Sequence, residues 1–346
     1  MKNLIVICVC LFALISCNGG DGAYVIGRRV VSPKPEKVVK LTSTDYIAGL
    51  CLEGAGGIPC VVDSIIILQL LNGSPNCFRA MNIKTGTYTD FLSSGRGPNE
   101  VVAGFFSGIR KIDDRVFLDV TAINEGLLLT IDLNETLLAG STIVSERKNL
   151  LQNSLLSYPL DGVVLSEVFG DQDLYSYKTY TSEDQKIVRM VQPFGAEEYL
   201  ISYEALFNSA RRIKPDGKKV SLAMFYFDEV NVFDIFGEEH LSVTVSKRNK
   251  DASVINKAIE SEIWGEQVYY ISQTVTNESI LALYSDGSDP DSFWASSTVH
   301  AFSWDGQLKA IYHLDRPMVS IAISEDEKTL YGLTEDEVLY RYDLSK

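Results

Sequence analysis

Histidine is nearly absent. His240, His300 and His313 stand singly in a chain of 346 residues. No His-x-His or His-Glu-x-x-His spacing joins them, so the usual ligand sets for a transition metal are missing, and each reads as an ordinary strand or turn histidine. No Gly-x-Ser-x-Gly elbow occurs, and no glycine-rich loop ends in Gly-Lys-Ser/Thr, which removes the local signatures of hydrolase and nucleotide chemistry. Beyond the amino-terminal stretch, no apolar run approaches the ~20 residues that a bilayer-spanning helix needs. Basic residues are also few, 31 Lys and Arg against 46 Asp and Glu, a formal charge of −15. A surface of that sign offers no face to nucleic-acid phosphates, and it favours a soluble, self-repelling body. None of these patterns calls for a cofactor.

What is present begins with an address. Met1 to Ser16, MKNLIVICVCLFALIS, has one early lysine and a short apolar core, the make-up of a signal peptide. The junction Leu14-Ile15-Ser16-Cys17 resembles the bacterial lipobox. That resemblance implies diacylation of Cys17 as the mature amino terminus; an ordinary signal peptide with an incidental cysteine is the alternative. Two or three acyl chains hold far more firmly than one, at ~0.8 kcal/mol per buried methylene. Loss of residues 1–16 takes Lys2 and leaves 30 basic against 46 acidic residues, a formal charge of −16. Residues 17–36 then form the lipidated cysteine and a tether that opens with the Gly-rich Asn18-Gly-Gly-Asp-Gly-Ala23. No dense acidic cluster follows Cys17, which favours a periplasm-facing outer-membrane lipoprotein. Cys8 and Cys10 leave with the signal, so Cys51, Cys60 and Cys77 remain, an odd number that cannot form a full disulfide framework. Cys60 falls on an innermost strand and Cys77 on the third, too far apart to bridge. A Cys51 to Cys60 bridge in an oxidising periplasm stands beside free thiols as the alternative.

Residues 37–346 read as one β domain. Hydrophobic residues make up 46% and aromatics 10%, in short β-branched runs that suit half-buried strands. The repeating unit is clearest from Cys77 to Glu100, where Phe78 to Ile83 and Tyr88 to Leu92 flank the turn Lys84-Thr85-Gly86-Thr87. It belongs to the first of six units at a spacing of roughly 40 to 50 residues, the range of propeller-type repeats. The expected fold is therefore all-β, a six-bladed β-propeller of four-stranded antiparallel blades, with a β-sandwich as the competing architecture. The second unit is expected to run through Phe106 to Ile112, Val116 to Asp119 and Leu127 to Asp132, then a turn at Asn134-Glu135 and a strand Thr136 to Ser141. The sixth supplies only Val319 to Ile323, Thr329 to Leu333 and Val338 to Asp343. The isolated strand Lys37 to Leu41 is expected to pair with it and close the ring, removing both exposed edges. Asp251 to Trp264 shows helical spacing behind an N-cap residue, and Glu197 to Phe207 reads as a helix or an extended crossover.

Ser94-Gly95-Arg96-Gly97-Pro98-Asn99-Glu100 follows the last strand of the first unit. Gly95 and Gly97 permit backbone angles closed to other residues, Pro98 stiffens the exit, and Glu100 can accept hydrogen bonds from backbone amides. Together with the lipobox, the segment resembles the Gly-x-Gly-Pro-x-Glu signature of TolB-like six-bladed β-propeller lipoproteins of Bacteroidota. The resemblance implies a propeller and a cell-envelope location, and little about activity. The loop reads as a structural crossover between units; the alternative makes Arg96 a cation that a ligand would meet. The insertion Asp286 to Trp294 is the other stretch with site-like chemistry. Asp286, Asp289 and Asp291 offer oxygens that suit calcium, and Phe293 with Trp294 offers a stacking platform for a sugar ring. It lacks EF-hand spacing, and a solvated loop is the plainer reading. Blade-to-blade links and second-to-third loops share one rim, which gathers both stretches and is the expected contact surface. The expected function is a lipid-anchored envelope module for binding or protein interaction, with an envelope protein or a carbohydrate as partner. The alternative is a hydrolase or lyase acting on carbohydrate or a lactone with a divalent metal in the axial channel.

Overall fold

The computed structural model describes residues 29–46, 52–71, 73–97, 99–168, 176–191, 208–237, 239–245, 268–285 and 294–345. Six sheets form a six-bladed propeller; the four blade strands of blades 1 to 5 and the three carboxyl-terminal strands of blade 6 run antiparallel in chain order. Blade 1 is Ala55–Val62, Ile65–Leu70, Asn76–Asn82 and Tyr88–Ser93. Blade 2 is Gly104–Ile112, Arg115–Ala122, Leu127–Asp132 and Val144–Asn149; blade 3 is Ser154–Leu160, Val163–Val168, Ser176–Tyr180 and Ile187–Val191. Blade 4 is Ser209–Ile213, Lys219–Met224, Val230–Asp234 and His240–Val243, and blade 5 is Tyr270–Val275, Ser279–Tyr284, Ser296–Ser303 and Leu308–Met318. Blade 6 takes Ser320–Ile323, Thr329–Leu333 and Leu339–Asp343 from the carboxyl end. The first strands of blades 2 and 3, 4 and 5, 5 and 6, and 6 and 1 meet around the axis.

The sequence forms these elements for two local reasons. Second strands such as Ile-Ile-Ile-Leu-Gln-Leu of Ile65–Leu70 are buried almost throughout, because a blade lies between two others and both its faces are covered. They read as continuous apolar runs rather than alternating ones. The tight turns place Asp63, Asp113 and Gly217 at φ 49, 53 and 72°, the left-handed region that Asp, Asn and Gly tolerate and short hairpin connections need.

Six apolar clusters fill the six seams between blades, and each seam is also pinned by a polar side chain near the axis. Between blades 1 and 2, Gln69 Nε2 donates to the Gly104 carbonyl at 2.8 Å while its Oε1 accepts from Phe106 N at 3.3 Å. Thr121 Oγ1 accepts from Ser157 N at 2.9 Å between blades 2 and 3, and Arg211 pairs with Glu167 at 3.0 Å between blades 3 and 4. Gln273 Nε2 donates to the Ala210 carbonyl at 2.6 Å between blades 4 and 5. Thr274 Oγ1 accepts from Ile323 N at 3.2 Å between blades 5 and 6, and Ser320 Oγ from Ile58 N at 3.0 Å where blade 6 meets blade 1.

Ring closure differs from the sequence expectation in one respect. Lys37–Leu41 does not complete blade 6; it pairs in parallel with the outer strand of blade 5, from Lys37 opposite Ala310 to Leu41 opposite Leu314. The closing strand is Asp45–Tyr46, antiparallel to Leu339–Asp343, with Tyr46 opposite Tyr340 and Asp45 opposite Arg341. Upstream, Arg29–Val31 lies in parallel on His240–Val243 of blade 4. The amino-terminal segment is thus a strap that crosses the outer edges of blades 4, 5 and 6 in turn, and the ring closes without the strand first expected to close it.

A second correction concerns blade 2, where Leu133–Ala139 is a short helix, α1, rather than a turn and strand. Asp132 caps it by accepting from Glu135 N at 3.1 Å, Gly140 ends it at φ 64°, and the fourth strand follows only at Val144–Asn149. Asp132 opens a helix as readily as it ends a strand. Among the described residues no helix is long and apolar enough to cross a membrane. Cys60 and Cys77 are free thiols. The signal segment, Cys17, the tether residues before 29, Cys51, Glu197 to Phe207 and Asp251 to Trp264 lie outside the described residues.

Candidate functional site

The Gly95 to Glu100 loop folds around one carboxylate. Gly95 N donates to the Val101 carbonyl at 2.9 Å and Val101 N to the Ser93 carbonyl at 3.1 Å, while Glu100 Oε2 accepts from Gly97 N at 2.8 Å. Neither Gly95 nor Gly97 has a positive φ, so the expectation of special backbone angles is corrected. A Cβ on Gly95 would collide with Glu100 Oε2 and one on Gly97 would lie 3.0 Å from it; the glycines leave room for the carboxylate. Glu100 is engaged within its own loop, and Arg96 is exposed. Across the link, Asn99 Oδ1 accepts from Arg147 Nη2 at 2.9 Å, tying the loop to the outer strand of blade 2.

Trp294 is half exposed on the same rim, its ring centroid 5.7 Å from that of Phe225 of blade 4. Pro98, Asp286, Asp289, Asp291 and Phe293 lie outside the described residues. The histidines sit on strands, as expected. His300 is buried, stacked 4.3 Å from the Tyr284 ring, with Nδ1 3.1 Å from the Tyr270 hydroxyl. Burial, aided by nearby His313, depresses its pKa to about 3, so the ring is neutral at ordinary pH.

The densest site chemistry lies on the axis. Ser209–Ile213, the inner strand of blade 4, reads Ser-Ala-Arg-Arg-Ile, and its two arginines take opposite sides because strand side chains alternate. Arg211 turns to blade 3 and pairs with Glu167, which is fully buried. Arg212 reaches past blade 3 instead, and its guanidinium carbon lies 5.4 Å from the ring centroid of Phe106 on the inner strand of blade 2. Its Nη1 donates to the Arg211 carbonyl at 2.8 Å, and its Nε is buried without a partner. Cys60 of blade 1 and Tyr158 of blade 3 are its electrostatic neighbours. Burial pushes the Cys60 thiol up to about 12 against the pull of Arg212. Burial, with Glu167, pushes the Tyr158 phenol up to about 12. Both groups are therefore neutral at ordinary pH, and they offer Arg212 no counter-charge. Four inner strands thus bring a cation, an aromatic face, a phenol and a thiol into one neighbourhood. Sequence reasoning missed it; the one available signal was a pair of arginines in a short strand that the repeat makes innermost.

No family model matches the sequence, and no curated protein matches it. Solved structures do. A member of the DUF4221 family from Bacteroides vulgatus superposes with a TM-score of 0.56 at 11% identity, over 88% of this chain and 97% of its own. A Bacteroides fragilis protein described as exported superposes with a TM-score of 0.50 at 10% identity, over 90% of this chain and 98% of its own. The likeness is one of fold. Both cover almost their whole length with this chain, so the propeller is the shared unit rather than a fragment of it.

Proposed function

We propose that this protein is a binding module tethered at the cell envelope through a lipid on Cys17, and that its axial channel receives the ligand. The observation that carries the channel is the guanidinium of Arg212, which reaches from blade 4 to the Phe106 ring of blade 2 among groups of blades 1 and 3. A side chain that reaches from one inner strand past its neighbour to a third is held by rigid elements, the placement a recognition group needs. The catalytic alternative calls for paired acids across the channel. Glu167, the buried acid that meets this strand, is paired with Arg211.

The finer assignment, a TolB-like lipoprotein on the periplasmic side of the outer membrane, is supported by Leu14-Ile15-Ser16-Cys17 and by the Gly95 to Glu100 loop. The Arg96 side chain and the Asp286 to Trp294 stretch are proposed as rim contacts for an envelope protein, a carbohydrate or calcium. Anchoring is tested by fractionation: Cys17→Ala should move the protein from membranes to the soluble fraction, and persistence in membranes sinks the lipid anchor. Binding is tested by native mass spectrometry of the full chain extracted from its own membranes. A bound small molecule released on unfolding supports the module, and a bare chain counts against it.

A further inference from the structure

We infer that the axial channel recognises an anionic group, a carboxylate or a phosphate, through the unengaged Nε edge of Arg212. This rests on the channel being the binding site. A guanidinium presents its donors in a planar fork that matches two oxygens of a carboxylate or phosphate. Arg212 spends Nη1 on a backbone carbonyl and keeps Nε buried and unengaged. The Phe106 ring holds the plane from one side, which limits the rotamers open to a long side chain and lowers the ordering cost when an anion docks.

Charge accounting points the same way. Of the tandem arginines, Arg211 has the carboxylate of Glu167 at 3.0 Å. Arg212 has none among the described residues, in a chain with 46 acidic side chains against 31 basic ones. Burying a cation without a counter-charge is costly, and proteins normally supply a partner. Here the acids are plentiful and many serve turns: Asp326 accepts from Ser324 Oγ at 2.7 Å, and Asp305 and Asp184 make similar turn bonds. The groups around Arg212 are a neutral phenol and a neutral thiol, which can donate to an anion and cannot repel it.

The test uses the full chain in detergent with inorganic phosphate and with acetate, each matched in ionic strength by sodium chloride. Titration calorimetry should show one or both anions binding where chloride does not, and which one binds separates phosphate from carboxylate recognition. Arg212→Gln should weaken binding by at least about tenfold, since a hydrogen bond to a charged group is lost. Its unliganded melting temperature should hold or rise; a purely structural Arg212 would instead lower it. Independently of any variant, phosphate or acetate should protect Arg212 of the unaltered protein from phenylglyoxal, read by peptide mass spectrometry, and leave exposed Arg96 unprotected. Equal modification with and without anion overturns the inference. No modification of Arg212 in either condition also overturns it, because the channel would then admit no small molecule. A neutral compound released from the membrane-extracted protein would keep the module and remove the anion.

Discussion

The two halves of the ring treat their outer edges differently. Blades 4, 5 and 6 are crossed by the strap of Arg29–Val31, Lys37–Leu41 and Asp45–Tyr46. Among the described residues, nothing pairs with the outer strands of blades 1, 2 and 3. Unpaired strand edges are templates for association, and lysine, charge and proline blunt them. On blade 5 the strap puts Lys37 and Lys40 at the new edge, behind Pro33 and Pro35. Blade 2 carries its own charges, Glu146, Arg147 and Lys148. Blade 3 has no strap and one charge, Arg189, which turns to the Phe236 and Gly237 carbonyls, and its Ile187, Val188 and Met190 are exposed by 49, 57 and 46%. The strap is thus both the closure of the ring and the edge protection of half of it.

Removing the strap breaks the comparison most severely. Deletion of residues 29–46 takes the fourth strand from blade 6, the fifth from blades 4 and 5, and buried Leu41 from the cluster between blades 5 and 6. The bonds lost include Thr44 N to the Arg341 carbonyl at 2.9 Å and Tyr46 pairing with Tyr340. At about 1 kcal/mol net per backbone bond, with 1.5–3 kcal/mol for a buried leucine, the loss is on the order of a whole domain's stability. Thermal unfolding followed by circular dichroism should lose its single cooperative transition. A truncated chain that melts as sharply as the full one would show that the seams alone hold the ring.

Within the strapped half, His300 sharpens the contrast through pH. Its folded pKa of about 3 lies below the ordinary value of 6.5, so the unfolded chain takes up a proton that the native ring refuses. The stability this contributes is fully present above pH 6.5 and declines as pH falls toward 3, by about 1.4 kcal/mol per pH unit across that window. His300→Gln keeps an acceptor for the Tyr270 hydroxyl and removes the titration. Denaturant midpoints measured from pH 7 to pH 3 should fall less steeply in the variant than in the parent. Parallel slopes would mean that other groups set the acid limb.

The six-fold plan was legible because it is written locally. Turn residues such as Asp63 and Gly217 mark hairpins, and second strands covered on both faces become unbroken apolar runs. The closing strand was not. Asp45–Tyr46 is two residues long and is held through backbone bonds such as Thr44 N to the Arg341 carbonyl, so it leaves no hydrophobic pattern, whereas Lys37–Leu41 alternates and attracts the assignment. The helix α1 hid in the same way, its Asn134-Glu135 passing for a turn and its Thr136 for the start of a strand. The axial cluster was invisible for a different reason. Cys60, Phe106, Tyr158 and Arg212 come from four blades, and no spacing along the chain relates them; only the ring brings them together.

The smallest expected effect on stability isolates what the bare half lacks. Val188 of blade 3 and Val38 of the strap are equally exposed, 57 and 58%, so replacing either by lysine should change stability by no more than about 0.5 kcal/mol. Their neighbours differ: Val38 lies between lysine-bearing positions, and Val188 lies in an apolar, β-branched edge interrupted only by Arg189, whose guanidinium donates to the Phe236 and Gly237 carbonyls. Val188→Lys should therefore lower concentration-dependent association, measured by sedimentation velocity over rising protein concentration, while Val38→Lys leaves it unchanged. Equal behaviour of the two variants would mean that the outer edge of blade 3 is as well shielded as that of blade 5, and that edge protection extends around the whole ring.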